Sequence, residues 1–116
     1  MSTQEIPGPV PAVTPQNAFF WTAGEQGELR FLHCQACSHV LHPPAPLCPE
    51  CLSENLVARA VSGRAKVATF TVNHHQWHPA FPPPYVLAIV EIEEAPHVQF
   101  TTRLVNCDAD EVRIGM

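Results

Sequence analysis

The stretch "CQACSHVLHPPAPLCPEC", residues 34–51, contains two Cys-x-x-Cys pairs separated by ten residues. Within each pair, the short spacing lets both sulfurs face the same side of a tight turn, so that two pairs can supply four ligands to one ion. Four soft thiolates in a tetrahedral array favour zinc. The sequence therefore predicts one zinc ion, bound by these ligands: Cys34, Cys37, Cys48 and Cys51.

The predicted zinc ion is structural, because four protein ligands leave no coordination position for water or substrate. A single iron of the rubredoxin type is the competing metal under the same ligand rules. A redox dithiol would need a βαβ context, which the sequence does not show. Three nearby histidines are candidate ligands as well, but four thiolates already satisfy zinc, so we expect surface or packing roles for His33, His39 and His42.

The five cysteines fit metal binding in a reducing compartment better than a disulfide framework, because their number is odd and four of them form two close pairs. Cys107 lies outside this pattern and is expected to be an ordinary half-buried thiol. The N-terminus has no basic region followed by an apolar one, and no segment approaches the roughly 20 apolar residues of a membrane span. These features favour a cytoplasmic protein that does not enter a membrane.

Composition indicates a mainly β protein. A chain of 116 residues has room for one domain with a small appended module, and 13 prolines with 15% charged residues favour loops and extended segments over helices. The formal net charge is −5, and the six basic residues are scattered along the chain. Binding to a nucleic-acid backbone normally needs a basic patch, so this class of function is disfavoured.

Residues 1–13 are rich in proline and predict an extended arm. Thr14 followed by Pro15 predicts a helix N-cap, and "QNAFFWTAGEQG" predicts a short helix that ends at its glycines. In "GELRFLHC" the alternation of Leu29, Phe31 and His33 with Arg30 and Leu32 predicts a strand that leads into the first cysteine pair.

About four strands are predicted after residue 60. "LVARAVSGRAKVATFTVNH" indicates two strands separated by a break at Ser62-Gly63, and "YVLAIVEI" is typical of a strand covered on both faces. "HVQFTTRLV" alternates again, and "DEVRIG" predicts a short last strand. Short strands without long helices between them favour an antiparallel barrel or a small stack of sheets.

Along almost its whole length the chain resembles the DUF35 family, in which a rubredoxin-like zinc ribbon precedes an OB-fold. The resemblance rests on "AFFWTA", "GELRFLHCQAC", "HPPAPLCPEC", "VSGRAKVATFTV", "PPPYVLAIVEIEE" and "VRIGM". It implies an N-terminal arm and short helix at 1–28, a zinc ribbon at 29–57 and an antiparallel OB-fold barrel at 58–116. Family members usually continue past the position of Met116 with another strand, which leaves open whether the barrel is complete here.

The resemblance also implies a function. Such proteins are non-catalytic partners of thiolase-like enzymes, and they help to hold or channel acyl-CoA. The most specific expectation is an accessory subunit of an aldolase that shortens steroid side chains, with an acyltransferase or a hydroxymethylglutaryl-CoA synthase type of enzyme as the alternative partner. Some members are fused to a MaoC-like enoyl-CoA hydratase. A nucleic-acid module is a further alternative, because zinc ribbons and OB-folds both serve that purpose elsewhere.

Two groups of residues are candidate contact sites. Arg64 and Lys66 flank the break at Gly63 and could meet the phosphates of CoA, although solvated surface charge is the simpler interpretation. The proline-rich loop "NHHQWHPAFPPPY" either folds onto its own barrel or forms a partner surface, and a second metal at His74 and His78 is a remote alternative. The candidate partner contacts are Phe20, Trp21, His74, His75, Trp77, His78, Phe81 and Tyr85.

Overall fold

The computed structural model describes residues 8–116, so the first part of the predicted N-terminal arm lies outside the described residues. The chain contains one short helix, α1 (Ala18–Thr22), which continues into a 3-10 helix at Ala23–Gln26. Six strands follow: β1 (Leu29–Cys34), β2 (Val40–Leu41), β3 (Leu56–Val61), β4 (Ala65–Asn73), β5 (Tyr85–Ile92) and β6 (Gln99–Leu104). The prediction of a mainly β fold with a short N-terminal helix is confirmed.

These elements divide into two compact units. One unit, called the ribbon unit here, comprises Ala12–Ala65 and Glu91–Gln99. The other, called the sheet unit, comprises residues 8–11, Lys66–Val90 and Phe100–Met116. None of the helical segments in the described part of the chain is long and apolar enough to cross a membrane.

The helix begins later than the sequence suggests. Thr14 N–H donates to Asn17 Oδ1 at 2.7 Å, and Asn17 N–H donates to Thr14 Oγ1 at 3.3 Å, which closes a turn ahead of the helix. Threonine and asparagine side chains compete in this way for backbone groups. Asn17 is therefore the N-cap of α1, and the prediction that Thr14 holds that position is wrong.

In the ribbon unit, the strand order is β2-β1-β3, with both pairings antiparallel. Leu32 lies opposite Leu41 in β2, and the long pairing with β3 runs from Leu29 opposite Val61 to Cys34 opposite Leu56. The strands predicted on both sides of the cysteine pairs are confirmed. The two-residue β2 had no signal of its own, because its pairing follows from the turn that the first cysteine pair makes.

Helix α1 packs on this sheet through one aromatic cluster. The ring of Phe20 lies 5.8 Å from that of Phe31 and 5.0 Å from that of His42, and Phe31 and His42 meet edge to face at 5.1 Å. Phe31 is fully buried. Burial lowers the pKa of His42, because desolvation disfavours the charged imidazolium.

In the sheet unit, the strand order is β4-β5-β6, and a core forms from Val67, Ala88 and Val90. Phe70, Phe100 and Leu104 pack against this core. Burial alternates along β5, and Ile89 is 37% exposed. The prediction that β5 is covered on both faces is wrong, because one face remains open within the described chain although it carries apolar residues.

The C-terminal segment forms a turn instead of the predicted strand. Glu111 N–H donates to Asp108 O and Val112 N–H to Ala109 O, which gives a 3-10 helix at Ala109–Glu111. The polar residues Asn106, Asp108 and Asp110 favour a turn, and the alternating apolar pair Val112 and Ile114 is too short to form a strand against them. Three strands therefore lie after residue 60 in the described chain, where about four were predicted.

The last two residues of the C-terminal segment form hydrogen bonds with β4. Gly115 N–H donates to Val67 O at 2.8 Å and Val67 N–H donates to Met116 O at 2.9 Å. Gly115 has φ 90, which is typical of the first position of a G1 bulge. Residues 8–116 thus contain two three-stranded sheets and no closed barrel.

Phe31→Ala is expected to lower the free energy of unfolding of the metal-loaded protein by about 3–5 kcal/mol, because it removes a fully buried ring. Denaturant titration followed by circular dichroism measures the loss. Val13→Ala is the control, since Val13 lies in the same unit and is 58% exposed, and its effect should stay below about 0.5 kcal/mol. Equal losses in the two variants would contradict the assignment of Phe31 to the core.

The lowered pKa of His42 predicts a pH dependence of stability. Below the ordinary histidine pKa of 6.5, the unfolded chain binds a proton that the folded chain does not, so stability should fall as the pH falls from there toward the folded-state pKa. Urea midpoints of the wild type and His42→Gln, compared between pH 7.5 and pH 5.5, isolate this contribution from metal release. Parallel pH profiles for the two proteins would contradict the prediction.

Candidate metal centre

The two cysteine pairs form two turns with the same hydrogen bonds, called the first knuckle (residues 34–39) and the second knuckle (residues 48–53). In the first, Ser38 N–H donates to Cys34 O at 2.8 Å, and Cys34 N–H donates to His39 O at 2.8 Å. The second repeats this pattern, with Leu52 N–H to Cys48 O at 2.8 Å and Cys48 N–H to Ser53 O at 2.9 Å. Backbone N–H groups of the first knuckle reach the sulfurs of Cys34 and Cys37, and the N–H of Ser53 reaches the sulfur of Cys51.

Each knuckle needs a residue with left-handed backbone geometry directly after its second cysteine. Ser38 has φ 67 and Leu52 has φ 63. Glycine, asparagine and aspartate adopt this region most readily, so serine and leucine are uncommon here. Sequence analysis missed both residues, although their position after Cys-x-x-Cys is a usable signal.

The four sulfurs converge on one point. The Sγ atoms of Cys34 and Cys51 are 3.5 Å apart, those of Cys37 and Cys48 are 3.6 Å apart, and all four atoms lie within 4.8 Å of one another. Tetrahedral zinc with Zn–S bonds of about 2.3 Å requires sulfur–sulfur distances of about 3.8 Å. The cluster fits one such ion, which confirms the prediction of a single four-cysteine metal site.

Burial divides the ligands into two kinds. The first cysteine of each knuckle, Cys34 and Cys48, is buried, whereas the second, Cys37 and Cys51, is exposed. Within residues 8–116, the histidine, cysteine or acidic side chains that lie close enough together, in a group of three or more, to share an ion are these four cysteines. The ion would lie at the surface of the ribbon unit with half of its ligands in the core.

Without metal, the thiols share their protons unequally. Burial raises the pKa of Cys34, but hydrogen bonds from the backbone of Cys37 and Ala36 and from neighbouring thiols outweigh it and bring that pKa to about 7. The backbone N–H of His39 lowers the pKa of Cys37, yet burial and the surrounding sulfurs raise it to about 12. A divalent ion replaces these protons, so its affinity must weaken as the pH falls.

The three histidines near the cysteines make packing contacts. His39 stacks on His97 with ring centroids 4.8 Å apart, and the Nε2 of His97 lies 2.7 Å from Val40 O. His33 Nδ1 lies 3.0 Å from Phe31 O, and His42 belongs to the aromatic cluster under α1. His97, which comes from the turn between β5 and β6, carried no sequence signal for its place beside the first knuckle.

Outside the metal centre, the structure separates the two aromatic candidates of α1. Phe20 packs inward on Phe31, whereas Trp21 makes a T-shaped contact with Phe20, with the ring centroids 4.9 Å apart, and is 48% exposed. Phe20 therefore attaches the helix to its unit. Trp21 keeps about half of its surface available to a partner.

In the loop between β4 and β5, Trp77 is exposed but held in place. Its indole N–H donates to Asn73 Oδ1 at 2.9 Å, and His75 meets the ring edge to face at 4.4 Å. The amide of Asn73 in turn donates to His75 O. Trp77 is nevertheless 73% exposed, so the loop presents a fixed aromatic side chain to the solvent. His74 beside it is exposed as well.

The other half of this loop folds inward. Phe81 lies 5.3 Å from His78 and 6.3 Å from Tyr85, and Tyr85 receives the Arg103 guanidinium at 5.5 Å from its ring centroid. His78 Nδ1 accepts the N–H of Ala80 at 3.0 Å, which occupies one of the ring nitrogens that a second metal would need. The loop thus combines a packed half with a presented half.

Arg64 and Lys66 are both exposed, but Arg64 lies near an acidic partner. Ser62 N–H donates to the Glu94 carboxylate, and this hydrogen bond, together with the Arg64 charge, lowers the pKa of Glu94. Glu94 therefore offsets part of the positive charge of Arg64. Sequence analysis missed this residue, because 32 positions separate it from Ser62.

Cys107 is a half-buried thiol, as expected. It borders a surface cavity of about 320 Å³ in the sheet unit, together with Tyr85, Arg103 and Asp108. This thiol takes no part in the four-cysteine cluster. It is the natural control for experiments on the metal ligands.

Cys34→Ala is expected to reduce the metal content from one ion per chain to a small fraction and to unfold the ribbon unit, because metal binding supplies folding energy. Elemental analysis of the purified protein and far-UV circular dichroism measure the two effects. Cys107→Ala should keep one ion and the wild-type spectrum. Full metal content in Cys34→Ala would contradict the assignment of the ligands.

Two family models match the chain. The model described as the ChsH2 rubredoxin-like zinc ribbon domain matches residues 21–57, and the one described as the ChsH2 C-terminal OB-fold domain matches residues 58–116. The first covers both knuckles, and the second covers all of β4, β5 and β6. The predicted succession of zinc ribbon and OB-fold is therefore confirmed, with sheets that remain open within residues 8–116.

Relatives of known description agree. The chain is 40% identical over 108 residues to a probable enoyl-CoA hydratase alpha subunit of Thermomonospora curvata, covering 93% of this chain but 33% of that protein. It is 35% identical over 85 residues to a DUF35 domain-containing scaffold protein of Pyrococcus furiosus, covering 67% of this chain and 57% of the relative. The chain thus spans about a third to three-fifths of the length of these curated relatives.

A solved structure described as the Ltp2-ChsH2(DUF35) aldolase contains a chain with the same fold. The TM-score is 0.83 at 39% sequence identity, and the match covers 92% of this chain and 83% of that one. Both halves of this sequence, the four-cysteine ribbon and the strands after it, fall within one described family. The chain belongs to the ChsH2-type DUF35 family of zinc ribbon and OB-fold proteins.

Proposed function

We propose that this chain is a non-catalytic accessory subunit that binds a thiolase-fold enzyme and supports the binding or channelling of its acyl-CoA substrate. The most specific form is a subunit of an aldolase that cleaves steroid side-chain acyl-CoA by a retro-aldol reaction. The observation that carries the proposal is the 39% identity, over 92% of this chain, to a chain of the Ltp2-ChsH2(DUF35) aldolase.

The metal centre supports an accessory role. Its four thiolate ligands complete a tetrahedral coordination sphere, which leaves no position for a substrate oxygen or a reactive water. When bound, the ion would supply folding energy and would hold the two knuckles together.

Two of the relatives are described as hydratase alpha subunits, one from Thermomonospora curvata and one from Mycobacterium tuberculosis. An enoyl-CoA hydratase is therefore a second candidate member of the proposed complex.

The exposed aromatic residues support partner binding. Trp77 and Trp21 are 73% and 48% exposed, and each is fixed by a neighbouring side chain. Large aromatic residues that are ordered before binding lose little conformational entropy on docking, and they are frequent hot spots of protein interfaces. His74 and His75 are exposed beside Trp77, and their imidazole rings add hydrogen-bonding groups next to its indole ring.

The proposed acyl-CoA contact involves Arg64 and Lys66. CoA phosphates are multiply charged, so a cationic side chain attracts them most strongly when no carboxylate competes. Glu94 contributes a weak opposing charge near Arg64, and both cations remain candidates. The contact belongs to the assembled complex, in which the partner enzyme would supply the rest of the site.

The proposed association is tested by mixing the zinc-loaded chain with purified Ltp2 from the aldolase complex. We expect co-elution on size-exclusion chromatography and a defined stoichiometry by light scattering. The chain treated with a chelator should elute alone, because the ribbon unit loses its fold without metal. Separate elution of zinc-loaded chain and Ltp2, or binding of single-stranded oligonucleotides instead, would contradict the proposal.

The double variant Arg64→Ala, Lys66→Ala should raise the KM of the complex for acyl-CoA by about tenfold and leave kcat nearly unchanged, because it removes binding that is equal in ground and transition states. Steady-state kinetics of the assembled complex measure this. Arg113→Ala is the control, since Arg113 is also an exposed cation. An unchanged KM in the double variant would exclude these residues from the CoA contact.

A further inference from the structure

The two knuckles have the same backbone geometry but differ in the residue that follows each cysteine pair. Both Ser38 and Leu52 donate their N–H to the first cysteine of the knuckle at 2.8 Å, and both have left-handed φ values, 67 and 63. The knuckles therefore differ in the side chain at this position and not in its backbone geometry. Serine is small and polar, whereas leucine is large and apolar.

Neither the local backbone nor burial favours leucine at position 52. In the left-handed region the Cβ atom approaches the following carbonyl oxygen, which costs energy for every residue except glycine and, to a lesser degree, asparagine and aspartate. The third non-glycine residue of this kind in residues 8–116 is Asn106, a residue type that tolerates the conformation. Leu52 is 71% exposed, so packing within the described chain does little to offset this cost.

A strained backbone that carries an exposed apolar side chain points to a use of that side chain. The two hydrogen bonds of the second knuckle fix the backbone at Leu52, and Leu47, which precedes Cys48, is 39% exposed. The second knuckle thus presents the apolar side chain of Leu52, called the knob here, on a turn whose backbone is fixed. A side chain on a fixed backbone has only its own rotamers left to order when it enters a pocket.

The charges around the knob define the partner further. Glu50 and Glu54 are exposed on either side of Leu52, and no lysine or arginine occurs between residues 31 and 58. A surface of this sign is repelled by nucleic acid and by anionic lipid. It is complementary to a protein pocket that is apolar at its centre and basic at its rim.

We infer that the second knuckle docks Leu52 into an apolar pocket with a basic rim on the partner enzyme. This inference rests on the proposed function and adds to it the part of the ribbon that recognises the enzyme. The first knuckle, with Ser38 at the equivalent position, lies outside this contact. The metal centre then serves recognition as well as folding, because it holds the knob in its docking geometry.

Leu52→Asn tests the inference, because asparagine accepts the left-handed conformation but removes the apolar knob. The variant should retain one zinc ion per chain and a thermal midpoint no lower than that of the wild type. Its affinity for purified Ltp2, measured by titration calorimetry, should fall about tenfold or more. Ser38→Asn makes the same substitution on the first knuckle and should change the affinity by less than about twofold.

Two further variants sharpen the result. Leu52→Met keeps an apolar side chain and should retain most of the wild-type affinity. Glu50→Gln combined with Glu54→Gln should slow association with Ltp2 and reduce its dependence on salt, because fewer charges then steer the encounter. If association of the double glutamine variant with Ltp2 depends on salt as strongly as that of the wild type, the pocket on the enzyme has no basic rim that faces these glutamates.

The outcomes separate this inference from the proposed function. Equal affinity of the wild type and Leu52→Asn for Ltp2 would overturn the inference that Leu52 enters a pocket on the enzyme, and would leave the proposed function intact. Loss of zinc or a lower thermal midpoint in Leu52→Asn would show that leucine serves the fold, and would overturn the knob as well. Failure of the zinc-loaded wild type to bind Ltp2 would overturn the proposed function and, with it, the inference that depends on it.

Discussion

The convergence of four sulfurs on one point is the constraint on which the ribbon unit depends. Of the five largest fully buried side chains of the described residues, two are the metal ligands Cys34 and Cys48, and a third is Phe31 in the strand that leads to Cys34. A core of this size cannot offset the conformational entropy of so many loops by apolar burial alone. Metal coordination therefore belongs to the core of this unit, and its removal is equivalent to the loss of core residues.

The parts of the structure that could be predicted from sequence are those whose signal is local. Spacing alone identified the four ligands, because a Cys-x-x-Cys turn directs two sulfurs to one side whatever surrounds it. Alternation along the sequence identified β1, β4 and β6, although burial itself alternates only in β6 and in part of β4. The last predicted strand failed because turn-forming residues at 106–110 bend the chain before Val112 and Ile114 can pair.

Features that arise from distant residues could not be predicted. Glu94 meets Ser62 across 32 positions, and His97 meets Val40 across 57. Both come from the turn between β5 and β6, which packs within the ribbon unit although strands of the OB-fold region flank it in sequence. The apolar run of β5 was also ambiguous, because a strand with one open apolar face has the same composition as one that is covered on both faces.

Two exposed apolar residues, Trp77 and Leu52, are fixed by hydrogen bonds and not by their own burial. Trp77 is held by Asn73 through its indole N–H, and the backbone of Leu52 is held by the hydrogen bonds of a metal-binding turn. An exposed side chain that is already ordered has lost its conformational entropy before any partner arrives, so a larger share of the apolar area buried on docking appears as affinity. A small chain with a modest core can in this way bind a large enzyme without rearranging. In the proposed complex, the turns that the metal centre holds would then serve both the fold of the ribbon unit and the choice of partner.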